Sequence, residues 1–84
     1  MRQKVKLVLK TSRSWDEMAL RGWAFSMLSL GRLPTVLETR EDGLLVEAEI
    51  SQTRRTRAFG KHGTQVLETR YSDGSTVSAK LETP

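Results

Sequence analysis

The most informative absence from this 84-residue sequence is that of cysteine. Without it the chain has no disulfide scaffold, no thiolate nucleophile and no zinc site of the Cys-x-x-Cys type. The chain has one histidine, His62, which supplies only one metal ligand, and no serine has a plausible histidine and acid partner for a Ser-His-Asp arrangement. Gly60-Lys61-His62-Gly63 lacks the spacing of a phosphate-binding loop. We therefore expect a protein that is not an enzyme and that uses no metal and no cofactor.

Long apolar runs are also missing. The stretch from Val5 to Leu9 is interrupted by Lys6 and falls short of the roughly 7 to 15 apolar residues of a secretory signal. No other segment approaches the roughly 20 apolar residues that span a membrane. We expect a cytoplasmic protein with no membrane partner. The length predicts a single domain over residues 1–84, whose small interior favours a function at the surface.

Charged residues are plentiful but mixed in sign. The 14 Lys and Arg residues exceed the 10 Asp and Glu residues by a net charge of +4. Together with 37% hydrophobic residues and a mean hydropathy of -0.46, this composition indicates a folded domain rather than a disordered segment. The basic balance permits nucleic-acid binding without requiring it.

The first regular element predicted is a strand over residues 4 to 10. Val5, Leu7 and Leu9 alternate with lysines, and the lysines favour an edge strand. A helix follows. Ser14 and Glu17 form the pattern of a capping box at its start, and a glycine and a proline mark its end near residues 31 to 34.

This predicted helix carries two apolar faces. The broader one, taken as the core side, contains Trp15, Met18, Ala19, Gly22, Trp23, Phe25, Ser26 and Leu30. A second stripe contains Leu20, Ala24, Met27 and Leu28. Two interpretations of this stripe remain open: the first strand or the following loop covers it, or Leu20, Met27 and Leu28 form an interface patch that seals a homodimer or docks a partner.

An internal repeat dominates the second half of the chain. The five residues Val-Leu-Glu-Thr-Arg occur at 36–40 and again at 66–70, and an Asp-Gly turn and a second alternating run follow each copy. This pattern predicts two hairpins. A two-residue Asp42-Gly43 turn would pair Thr39 with Val46 in the first hairpin.

The second hairpin contains one more residue before its glycine. A three-residue loop with Gly74 in the left-handed position would pair Thr69 with Val77 and Leu67 with Ala79. Between the hairpins, we expect the third strand to continue as far as residue 59. The predicted fold is α+β, with one helix packed on an antiparallel sheet in the order β-α-β-β-β-β and two repeated hairpins.

The densest positive charge lies between the two hairpins. The candidate partner-binding residues are Arg54, Arg55, Arg57, Lys61 and His62. On a strand, Arg55 would lie opposite Glu68, and the arginines would contact phosphates, an acidic protein surface or only solvent. Aromatic residues outside the helix are scarce, which disfavours RNA binding by base stacking.

The small size, the lack of cysteine, the single helix on a short meander and the charged segment Arg54-Arg55-Thr56-Arg57 together make the chain resemble small phage-encoded inhibitor proteins of the anti-CRISPR kind. The resemblance implies a non-catalytic phage or mobile-element inhibitor that docks on a larger host protein or nucleoprotein complex, such as a CRISPR-Cas effector. Such inhibitors often present acidic surfaces that imitate DNA. The net charge of +4 departs from that pattern and points to an acidic protein surface, bound guide RNA or a site outside the DNA channel.

Two other functions remain open. The chain is also compatible with a small basic nucleic-acid-binding module, or with an accessory subunit of a homo-oligomer. The sequence allows both a monomer and a homodimer.

Overall fold

A computed structural model describes residues 1–82 of the chain. The strands are β1 (Arg2–Thr11), β2 (Thr35–Arg40), β3 (Gly43–Ser51), β4 (Leu67–Arg70) and β5 (Thr76–Leu81), and the helices are α1 (Glu17–Met27) and α2 (Gln52–Phe59). The strands form one antiparallel sheet in the order β2-β3-β1-β5-β4. The predicted α+β class is confirmed. The predicted element order is wrong, because a second helix separates the two hairpins.

Strand β1 lies at the centre of the sheet and not at its edge. It pairs with β3 from Arg2 to Lys10 and with β5 from Leu7 to Thr11. As predicted, its alternate apolar residues, including Leu7 and Leu9, face the core. Both helices cover that same face, so the lysines of β1 lie on the uncovered face. The lysines therefore indicate a solvent-exposed face of the strand and not an edge position. A central strand also has such a face when helices cover only one side of the sheet.

Helix α1 begins later than predicted and turns a different face to the core. The Oδ1 atom of Asp16, not Ser14, caps the helix by accepting a hydrogen bond of 2.8 Å from the Ala19 amide. Its buried residues are Leu20 and Ala24, and Leu28, just after the helix, is buried with them. The predicted core face is therefore wrong. The side that packs against the sheet carries Leu20, Ala24 and Leu28, which are spaced four residues apart with a small alanine in the middle.

The two hairpins differ in how well local turn chemistry predicts them. In the second, Thr69 pairs with Val77 as expected, and Gly74 has the left-handed φ of 86°. In the first, Arg40 pairs with Gly43, so the predicted Asp42-Gly43 turn and its register are wrong. A bulge in β2 at Leu37 restores the alternation, so that Val46 lies opposite Val36.

Residues 52 to 59 form helix α2 where a strand was predicted. The Ser51 hydroxyl accepts a hydrogen bond of 3.3 Å from the Arg54 amide at the start. At the end, Gly60 has a φ of 81°, and its amide donates to the Thr56 carbonyl at 2.8 Å. The expected strand pairing between Arg55 and Glu68 is therefore absent from the register of β4, which pairs only with β5. Within residues 1–82, neither helix is long and apolar enough to cross a membrane.

Candidate binding surface

The net positive charge of the chain is concentrated in one segment. Between Glu49 and Glu68 the sequence has no acidic residue, but it has three arginines, one lysine and the only histidine. The ten other basic residues balance the ten acidic residues of the chain. Helix α2 and the turn after it therefore carry the whole net charge of +4.

Four of the six arginines outside α2 have an acidic partner within 4.0 Å in residues 1–82. In the repeated Glu-Thr-Arg sequence, Glu38 and Arg40 form an ion pair at 2.9 Å, and the matching residues of β4 lie 3.3 Å apart. The hydrogen bond that Arg40 donates to the Glu38 carboxylate raises the pKa of Arg40. No such partner lies within 4.0 Å of the three arginines of α2 in residues 1–82. These arginines are the part of the surface best suited to an external anionic group.

Two of these arginines border an apolar groove between the helices. Arg54 and Arg57, both exposed, lie three residues apart on α2 and so share a side of the helix. The groove has a volume of ≈ 130 Å³.

 The residues that line the groove between the helices are Met27, Leu28, Arg54, Arg57, Ala58 and Leu67.

The candidate interface patch on α1 is mostly core. Leu20 is 2% exposed and Leu28 is 1% exposed, so neither is free to form a patch, although Leu28 still lines the groove. Met27 is 43% exposed at the edge of the groove. Two predicted regions, the arginine segment and the end of the first helix, therefore meet at one surface, which we call the α1–α2 groove. The sequence missed Ala58 and Leu67, which had no signal beyond their apolar character.

The remaining basic candidates lie outside this groove. Arg55 is half-buried, and its Nε atom is buried without a hydrogen-bond partner in residues 1–82. Its guanidinium lies near Gly63, where an added Cβ would be 3.8 Å away. Lys61 and His62 are exposed in the turn that follows α2. Arg55 is thus the arginine least available to a partner, while the two turn residues extend the positive surface.

The uncovered face of the sheet is the main competing surface. Its larger groove surrounds Val8, which is only 6% exposed, with Lys10, Arg40, Lys80 and Glu82 among its lining residues. The lysines in the other half of β1 lie opposite two glutamates of β3 in the strand register. Because acidic and basic groups alternate across this face, it offers less uncompensated charge than α2 does.

Within residues 1–82, no three side chains of the His, Cys, Asp or Glu type come together as a metal site would need. Comparisons of the chain with protein-family models, with curated proteins and with solved structures find no match.

Proposed function

We propose that this protein is a non-catalytic binding protein, an inhibitor of the anti-CRISPR kind that docks on a larger host protein or nucleoprotein complex through the α1–α2 groove. The observation that carries the proposal is the pair Arg54 and Arg57, which have no acidic group within 4.0 Å among residues 1–82 and border an apolar groove. Arginine and methionine are enriched at protein interfaces, and arginine is frequent among the residues that contribute most binding energy.

The composition of the groove favours a protein partner over a phosphate backbone. Guanidinium groups bind carboxylates and phosphates alike, so the arginines alone do not discriminate. The apolar residues Met27, Ala58 and Leu67 add a surface that an apolar side chain fills and a phosphate does not. An acidic protein surface that presents an apolar side chain between carboxylates satisfies both features.

The test is a pull-down of tagged protein from a bacterial lysate, with and without nuclease, read by mass spectrometry and by absorbance at 260 nm. We expect the native protein to retain a discrete protein complex that survives nuclease. The double variant Arg54→Glu/Arg57→Glu should lose it, because two attractive charges become repulsive. Both side chains are exposed, so the thermal midpoint should change little.

A matched control places the same charge change on the uncovered face of the sheet. Lys10→Glu/Lys80→Glu should retain the complex, since both lysines are exposed and lie away from the groove. Equal loss from both variants would mean that net charge alone governs capture, which contradicts the groove assignment. Recovery of nucleic acid alone, removed by nuclease and weakened steeply by salt, would favour the nucleic-acid-binding module instead.

A further inference from the structure

Most of the aromatic residues of the chain gather at a second site, at the opposite end of α1. Both tryptophans, Trp15 and Trp23, and the only tyrosine, Tyr71, line a cleft of ≈ 230 Å³ between the start of α1 and the β4–β5 turn. All three side chains are half-buried. The other lining residues are Thr11, Arg13, Ser14, Asp16, Ala19, Leu20 and Val77. The two tryptophan rings, which were expected on the core side of the helix, pack against the edge of the core and also line this open cleft.

Hydrogen bonds hold these walls in place. The Trp23 Nε1 atom donates to the Thr69 hydroxyl at 3.0 Å, which ties α1 to β4. The Tyr71 amide donates to the Ser75 carbonyl at 2.9 Å and closes the β4–β5 turn. The cleft is therefore formed before any ligand arrives, so binding there loses little conformational entropy.

The cleft carries one positive and one negative group. The Arg13 guanidinium carbon lies 4.4 Å from the centre of the Tyr71 ring. Asp16 uses Oδ1 to cap α1, and its carboxylate also lines the cleft. A cationic ligand would meet Arg13, and an anionic ligand would meet Asp16. A neutral ligand with both hydrogen-bond donors and acceptors satisfies both groups, and aromatic walls favour a flat ring.

We propose that this cleft binds one neutral heteroaromatic ring of the nucleobase type, stacked on the aromatic walls and hydrogen-bonded to Asp16 and Arg13. Its volume is below the roughly 300 to 1,000 Å³ of pockets that enclose a complete drug-sized ligand, so the ring enters and an attached sugar stays outside. Guanine fits best. Its adjacent N–H groups are donors for a carboxylate, and its O6 and N7 atoms accept from arginine. The proposal is independent of the α1–α2 groove.

Intrinsic fluorescence tests the proposal directly, because the only two tryptophans of the chain both line the cleft. Titration with guanosine, adenosine, cytidine and uridine should give saturable quenching that is strongest with guanosine. The substitution Asp16→Asn keeps a side-chain oxygen that can cap the helix, but it removes the pair of carboxylate oxygens that accepts from the guanine N–H groups. Guanosine should therefore bind about tenfold more weakly. Glu17→Gln, a neighbouring change outside the cleft, should leave binding unchanged.

Single-stranded oligonucleotides with and without guanine distinguish a free nucleoside from a base within a strand. Quenching by guanine-containing strands that is weakened by Asp16→Asn identifies a strand as a source of the ring. Quenching by guanosine alone identifies the free nucleoside. The proposal fails if no nucleoside or oligonucleotide quenches saturably, or if Asp16→Asn, folded as judged by circular dichroism, leaves the quenching unchanged.

Discussion

Replacement of Phe59 by alanine is expected to lower the free energy of unfolding by about 3 to 5 kcal/mol. Phe59 is fully buried and is the only buried residue of α2. At eight residues, α2 is shorter than the roughly 12 to 15 residues that an isolated helix needs to be even marginally stable in water. The helix therefore depends on this side chain. Because small domains are stabilised by only about 5 to 15 kcal/mol in total, urea denaturation followed by circular dichroism should show a much lower midpoint for the variant.

The matched control is Arg54→Ala on the exposed side of the same helix, which should change stability by no more than about 0.5 kcal/mol. A loss below about 1 kcal/mol for Phe59→Ala would contradict the role of this ring as the anchor of α2. The conservative change Phe59→Leu keeps most of the apolar contact, so it should preserve partner capture while lowering the thermal midpoint. This variant separates the stability of α2 from the chemistry of its arginines.

The sequence did not reveal α2 because its decisive interactions are distant along the chain. Ser51 and Gly60 suit the ends of a helix, but they also suit a strand that ends in a turn. Strict alternation along the predicted strand places Phe59 on the outer face with Arg55 and Arg57, so a large apolar ring at this position was a local signal against the strand. What excludes the strand is β1, which pairs along β3 from Arg2 to Lys10 and occupies the side of β3 that the meander assigned to β4. No local sequence pattern predicts that β1 pairs between β3 and β5.

Two features that depend on neighbouring residues were predicted correctly. The inner face of β1 follows from simple alternation at Leu7 and Leu9, and the second hairpin follows from Gly74 in its loop. A helical wheel, in contrast, shows which residues of α1 share a face but not which face packs on the sheet. The two large indole rings suggested the wrong one. Neither candidate site was fully predicted, because each one joins an end of α1 to residues about 30 or more positions away, and the packing of the helix decides which residues meet.

Among substitutions that add a single methyl group, Gly43→Ala should lower the free energy of unfolding the most. An added Cβ would lie 1.8 Å from the carbonyl oxygen of Leu9 and 2.8 Å from its carbonyl carbon. Both are backbone atoms of β1, so relief requires separation of the two central strands, β1 and β3, at the end where β3 begins. We expect a loss of at least about 4 kcal/mol, a magnitude that is exceptional for a point mutation. Urea denaturation followed by circular dichroism measures it.

The same chemical change at Gly22 should have the opposite sign. Gly22 lies inside α1, and an added Cβ would meet no atom within 4 Å. Because alanine loses less conformational entropy than glycine in a helix, Gly22→Ala should raise the free energy of unfolding by about 0.5 to 1 kcal/mol. The pair of variants isolates the close approach of β1 and β3 from the general effect of an added methyl group. Native stability in Gly43→Ala would show that the two strands are farther apart at this position than the structure places them.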